Sequence, residues 1–426
     1  MSFRTYFRQA LGDWNFIFRE ELKSVFRDQG VIIFFLVVPL LYPLAYSFIY
    51  TEEVVRDVPV AVVDDCRSAQ SRDYLRRLDA SPDVRIVSHC ANMEEAKRLV
   101  REREAYGVVY VPRDFTRRLV RGEQVAVSAY SDMSGLLYYK AVLTANTEVS
   151  LAMNAEIKVA RSGGGTEEQQ RVTEYPIDYE HVNLFNPQTG FAAFLIPAVL
   201  VLIIQQTLLL GVGMAAGTSR EHNRFRLLVP VERHHTGLLR IVLGKSFVYL
   251  FLYIPISVYV LGVVPRLFHL VQIGNPWDIA LWGIPYVLAC IFFAMTVSGL
   301  VRHREQCIML IVFTSVPLLF ISGLSWPGSA VPPVWQAVSY LFPSTFGIKG
   351  FVAINNMGAR LADVQYEWHL LWTQAIVYFF TSCVVYRRSI IASRRAVLSQ
   401  YAKLRKRRAA AREAHSLLSE PVTPAE

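Results

Sequence analysis

From Gly190 to Thr218 the chain carries no charged side chain. A bilayer core takes about 20 residues of helix, so this run is long enough to cross one. Backbone groups in lipid must find hydrogen bonds within the segment, which favours helices as spanning elements. The run follows Asn186-Pro187, gives way to a polar and basic stretch from Ser219 to Arg240, and another apolar run begins at Ser246. This order predicts a membrane helix, an elbow around Pro230 and a second membrane helix. A force applied to such an elbow from one side would move two spans together.

The rest of the chain repeats the pattern. It has 426 residues, 53% of them hydrophobic, with a net charge of +9. The apolar residues are gathered in long blocks rather than in short periodic patches, which separates a membrane chain from a soluble one. Six spans are expected, at Val31–Tyr50, Gly190–Thr218, Ser246–Val264, Ile279–Val301, Gln306–Ser325 and Leu370–Tyr386. Pro39 and Pro43 are expected to kink the first. Trp277, Trp282, Trp326, Trp335, Trp368 and Trp372 fall near one set of span ends, as an interfacial aromatic belt would. The first apolar run follows a mixed-charge segment and is followed by no small-residue cleavage site, so no cleavable signal peptide is expected.

Lys and Arg are distributed by side. Arg4, Arg8, Arg19, Lys23 and Arg27 precede the first span, and Arg220, Arg224, Arg226, Arg233, Arg240 and Lys245 follow the second. Arg302 and Arg304 lie between the fourth and fifth, and Arg387, Arg388 and a cluster from Lys403 to Arg408 follow the sixth. The short loops on the other side carry only Arg266, Lys349 and Arg360. The positive-inside rule then puts both termini and the elbow in the cytoplasm. The basic excess reads as topology, and no nucleic-acid partner is expected. Residues 3–26 are amphipathic, with Phe3, Phe7, Leu11, Trp14, Phe18, Leu22 and Val25 at helical spacing. They form either an interfacial helix on membrane lipids or a helix packed on protein.

Residues 51–189 differ in composition. Strands are expected at Val58–Val63, Val84–Val87, Gly107–Val111 and Gln124–Tyr130, with helices at Ser68–Leu78, from Asn92 to about Glu104, and at Leu136–Ala160. Alternation of this kind implies an α/β layer structure. Ser162–Gln170 reads as a flexible loop. The fold class is therefore a polytopic α-helical membrane protein of six helices, with an α/β extracytoplasmic domain inserted between the first two. Cys66 and Cys90 each follow a strand. They are either a disulfide at one sheet edge or two free thiols.

The motifs of catalysis are missing. Gly244-Lys245-Ser246 resembles the end of a phosphate loop, but Leu239 stands where that motif needs glycine, so no ATP hydrolysis by this chain is expected. His222, His234 and His235 lack carboxylate or thiol partners at ligand spacing, so no metal is expected. No GxSxG elbow is present. The spans carry essentially no ionisable residue at their centres, which argues against proton coupling. The energy should come from outside the bilayer. Gln205-Gln206 is the most polar pair at mid-depth in the second span, and it either lines a substrate path or joins helices.

Several local sequences, in this order, resemble the permease subunits of ABC type-2 exporters. Phe185-Asn186-Pro187 with Phe194-Leu195-Ile196-Pro197 resembles that family's entry into its second span. Glu221, Pro230 and Gly244-Lys245 resemble its cytoplasmic elbow. Ser322-Gly323 with Pro327, Pro332-Pro333, Pro343 and Thr345 resembles its outer re-entrant segment. Asn223-Arg224-Phe225 departs from the family, which usually has Gly-Thr there.

The resemblance implies outward movement of an amphipathic or hydrophobic substrate across a bacterial cytoplasmic (inner) membrane. It implies a second permease, identical or not, and separate ATPase subunits that carry the ATP and Mg. ATPase coupling would fall on Glu221, Arg224, Arg226, Pro230, Arg233, Gly244 and Lys245, within an elbow at 219–245, and on the helix at 3–26. A substrate path would touch Gln205, Gln206, Ser322 and Gly323. The outer loop at 326–369 either dips into the outer leaflet or forms a plain turn, and residues 387–426 form a basic tail. The outer domain would handle substrate or dock a periplasmic adaptor protein. The alternatives are a membrane component of a secretion apparatus and a receptor or scaffold with an α/β sensor domain.

Overall fold

The computed structural model describes residues 3–163, 166–174, 182–187, 189–232, 236–323 and 326–418, with side chains from 8 to 399 among these. The chain forms two compact units, Glu52–Thr189 and the remainder. The remainder begins with helix α1, Phe3–Arg27, and helix α2, Gln29–Ile49. Asp28 separates the two and caps α2, accepting from the amides of Gly30 at 3.1 Å and Val31 at 3.4 Å. One wide π turn, Ile33–Val37, precedes Pro39 in α2, and such turns absorb local mismatch in a helix. Tyr42, Tyr46 and Tyr50 share one face, with ring centroids 5.9 and 5.2 Å apart.

The Glu52–Thr189 unit contains β1 (Val58–Asp64), α3 (Ala69–Asp79), β2 (Val84–His89), α4 (Met93–Arg101), β3 (Gly107–Val111), α5 (Phe115–Arg121), β4 (Ser128–Ser131), α6 (Leu136–Arg161) and α7 (Glu167–Glu174). The sheet order is β2-β1-β3-β4, with β4 antiparallel to β3 and the other pairs parallel. Alternate residues of β1 feed opposite layers, as the two-residue repeat of a strand requires. Val58, Val60 and Val62 pack with Tyr74, Leu78 and Val142, while Ala61 and Val63 pack with Ala96 and Val108.

Two expectations for this unit change and one open alternative is resolved. The fourth strand is confined to Ser128–Ser131, because only these residues pair with Gly107–Tyr110. Helix α7 begins inside the expected loop, since Thr166 and Gln169 cap each other reciprocally at its start, an arrangement that nucleates a helix. Cys66 and Cys90 do follow neighbouring parallel strands, but both are free thiols. Cys66 belongs to the layer of α3 and α6, and Cys90 is buried in the layer of α4. Burial opposes the Cys66 thiolate, yet hydrogen bonding with Ser68 and Thr116 outweighs it and holds that thiol below its ordinary range.

The larger unit continues with α8 (Phe191–Glu221), a one-turn α9 (Val229–Glu232), α10 (Gly237–Leu267), α11 (Pro276–Leu300), α12 (Arg304–Ile321), α13 (Pro333–Ser339), α14 (Pro343–Met357) and α15 (Gln365–Leu418). Among the described residues, α2, α8, α10, α11, α12 and the Gln365–Ser399 part of α15 are long and apolar enough to cross a membrane. Helices α13 and α14 form a pair bent by 87°, where a dipping loop or a plain turn was expected.

Helix α8 is central. Most of its apolar stretch is buried, whereas little of α12 is. Helix α10 starts nine residues before the expected Ser246, which shortens the elbow. Helix α15 runs well past the expected Tyr386, because Ser389 and Ser393 beyond it bond to the elbow. Trp282 is not a belt residue: it is fully buried, stacked on Tyr286 at 5.1 Å.

Candidate coupling site

Helix α1 is held against the start of α10 by two buried ion pairs. Arg240 donates to Asp13 at 2.7 Å, and Lys245 donates to Glu21, which also accepts from the Tyr249 hydroxyl. Asp13, Ile17, Glu21 and Val25 recur every four residues and so share one stripe of α1. Gly244 meets that stripe. A β-carbon there would stand 2.9 Å from Ile17, so glycine permits the close approach of the helices. Trp14 and Phe18 close the contact against Phe247, with centroids 5.1 and 6.1 Å apart. The helix at 3–26 is thus packed on protein along this stripe, while Leu11 and Phe16 on other faces remain exposed.

Gly244 and Lys245 both lie inside α10 and are buried, so any part they take in coupling runs through the contact with α1. Lys245 needs Glu21 there, because a buried cation is retained only when a partner neutralises it.

The open part of the elbow is Glu221 to Pro230. Asn223 adopts a left-handed φ of 51° and ends α8. The 3-10 turn Arg224–Leu228 then turns Phe225 inward and Arg224, Arg226 and Leu227 outward. The buried Phe225 ring lies 5.6 Å from the Arg220 guanidinium, 6.0 Å from the Lys245 ammonium and 5.9 Å from the Tyr386 ring. Cations over an aromatic face add attraction to packing. Pro230 is exposed, and Arg233 lies outside the described residues.

The elbow is wired to the rest of the bundle. Arg220 donates to the carbonyls of Ser298 and Val301 and to the Ser389 hydroxyl. Glu221 accepts from the Arg304 amide at 3.2 Å and lies 3.5 Å from His303. Asp28 accepts from the Thr218 hydroxyl at 2.9 Å and sits 3.5 Å from the Arg304 guanidinium. A cavity of about 340 Å³ separates α1 from the elbow, lined by Lys23, Arg27, Arg224 and Arg226, by the single exposed acid Glu20, and by the buried Glu21 and Lys245. Four exposed cations on two clamped elements make a field that draws an acidic partner.

The profile of ABC-2 family transporter proteins matches residues 30–384. The chain belongs to the ABC-2 transporter family. It is also similar to the linearmycin resistance permease protein LnrN of Bacillus subtilis (strain 168), with 20% identity over 374 residues, covering 81% of this chain and 91% of that protein. Membership makes this a membrane permease subunit and not an enzyme, and it implies ATPase partner subunits.

In this ABC-2 permease the four residues of the expected substrate path do not form one cluster. Gln205 accepts from the Ser344 amide at 2.6 Å and so joins α8 to the start of α14. Its neighbour Gln206 is buried, and neither amide atom has a hydrogen-bond partner among the described residues. Ser322 is fully buried and bonds its own helix at Leu319. Gly323, at φ +87°, ends α12 and approaches Lys349 of α14. Helix α14 therefore links the two halves of the expected set.

Sequence reasoning missed Asp13, Glu21, Asp28, Arg220 and Phe225. The first two carried a signal: acids on the same stripe of an amphipathic helix, two turns apart, facing a later Arg and Lys five residues apart. Asp28 carried a local one, an acid at the helix start it caps, whereas Arg220 carried none, since its partners are carbonyls and a hydroxyl far along the chain.

Proposed function

We propose that this ABC-2 permease moves amphipathic or hydrophobic molecules outward, driven by separate ATPase subunits that dock on the exposed elbow and α1. The observation that carries this reading is the rim of Lys23, Arg27, Arg224 and Arg226 around one cavity. These cations sit on two elements locked together by the Asp13–Arg240 and Glu21–Lys245 pairs. A load on either element reaches α8 and α10 together, and through Arg220 and Glu221 it reaches the end of α11, the start of α12 and the long α15 at Ser389. The excess of Lys and Arg on one side of the chain supports a reading with this rim in the cytoplasm and the Glu52–Thr189 unit outside.

In this reading two permease chains pair in a bacterial cytoplasmic membrane. The apolar spans favour amphiphiles over sugars or ions, and the resistance named for the Bacillus relative is consistent with expelling such a molecule. The outer unit receives substrate or an adaptor protein. Cross-linking tests the docking. A cysteine at Leu227, which is 46% exposed, should form a bond with a cysteine on the co-expressed ATPase, and one at buried Phe225 should not. Equal cross-linking at both, or at neither, would remove the elbow from the interface.

A further inference from the structure

Between Glu305 and Arg360 the sequence has a single charged residue, Lys349. It lies on α14, within the bent pair of helices that is apolar enough to enter a membrane. An ionisable residue in such a segment calls for a functional reading, provided the fold fixes where it points.

The fold does so. A β-carbon at Gly347 would stand 2.4 Å from the Tyr286 ring, and one at Gly350 would stand 2.4 Å from the Trp282 indole. These glycines press one face of α14 onto buried aromatics. The helix is also pinned at its ends. Gln205 takes the Ser344 amide, and near the other end Asn356 donates to the Ala193 carbonyl and Asn355 to the Val271 carbonyl. Lys349 is left exposed, with its Cε 3.6 Å from where a β-carbon of Gly323 would be. Without a side chain at Gly323, the lysine stem reaches past the end of α12. No acidic residue occurs between Glu305 and Asp363 to neutralise it within this segment.

An apolar crevice of about 270 Å³ adjoins the same end of α12, lined by Phe320, Ile321, Trp326, Val331 and Trp335 among others. Ile321 stands two residues before the glycine that Lys349 crosses. The cation and the aromatic slot thus share one end of α12, the cation at Gly323 and the slot at Ile321.

We infer that Lys349 and the Trp326–Trp335 crevice bind the transported amphiphile through an acidic group, with its hydrocarbon in the crevice and its carboxylate or phosphate on the ammonium. Charge complementarity selects this occupant, because a neutral lipid chain fills the crevice and leaves the cation unpaired. The inference rests on the export reading for the direction of travel, but binding itself requires no ATPase.

The test uses the full chain in nanodiscs of zwitterionic lipid. The probe is a brominated long-chain carboxylic acid, ionised at alkaline pH, and the readout is quenching of tryptophan fluorescence. The acid should bind at least about tenfold more tightly than its methyl ester, the scale of a hydrogen bond to a charged group. Lys349→Gln should abolish that difference, and Lys349→Arg should keep it. Equal quenching by acid and ester, or a Lys349→Gln chain that still discriminates, would overturn the inference. So would displacement of the acid by low levels of phosphatidylglycerol in the disc, which would assign the site to a bilayer lipid. A failure of ATPase docking would leave all of these readings unchanged.

Discussion

The guanidinium of Arg240 lies 2.7 Å from the carboxylate of Asp13, joining the first helix of the chain to the start of α10 with both side chains nearly sealed from solvent. Removing one partner strands the other. Arg240→Ala should cost about 3–5 kcal/mol, the usual penalty for an uncompensated buried charge. Asp13→Ala combined with Arg240→Ala should cost less than the sum of the two single changes. Thermal aggregation midpoints of the detergent-purified chain read both effects, and additive losses would show that the pair is uncoupled.

Glu221 and Arg226 should separate into different roles. Glu221 holds the Arg304 amide at the start of α12, so Glu221→Ala should cost about 1 kcal/mol, as loss of a helix-capping group does, and Glu221→Gln should cost less. Arg226 points outward, and Arg226→Ala should leave stability within about 0.5 kcal/mol while weakening ATPase binding. Equal stability losses for the two would contradict this division.

The adjacent glutamines offer a sharper contrast. Gln205→Leu removes the acceptor of the Ser344 amide and should destabilise by about 0.6–1.7 kcal/mol, the range for such bonds in membranes. Gln206→Leu removes an amide without partners among the described residues and should be neutral or stabilising. Unfolding in graded denaturing detergent would rank the two variants, and the reverse order would show that Gln206 is the bonded one.

These cases show what was legible in sequence. The spans could be found because lipid demands uncharged length, and the first three strands could be placed because their runs are short and β-branched, two of them stopping at Asp64 and Pro112. The elbow was found, but its far end was misplaced. Arg240 and Lys245 look like surface charges until Asp13 and Glu21, some 220 residues earlier in the chain, are known to lie beside them. Thr166 and Gln169 wrote a helix start into a stretch whose glycines suggested a loop. The free state of Cys66 and Cys90 was open in sequence, because strand order does not say into which layer each sulfur turns.

Those two thiols give a chemical test. Cys66 is half-buried with its thiol held below the ordinary range, whereas Cys90 is buried. The Cys66 thiolate should therefore appear as pH rises before that of an ordinary thiol. Alkylation at neutral pH should label Cys66 well ahead of Cys90, and both should react after denaturation without a reductant. Mass spectrometry of the labelled peptides decides it, and a linked pair of peptides would contradict the two-layer placement.

The most direct measurement of the central claim is ATP turnover by the partner ATPase in proteoliposomes, with and without this permease. Wild-type permease should change the turnover rate severalfold. Arg224→Ala with Arg226→Ala should remove that change while the chain stays folded and membrane-embedded. Turnover that ignores the permease, or responds equally to wild type and the double variant, would contradict docking at the elbow.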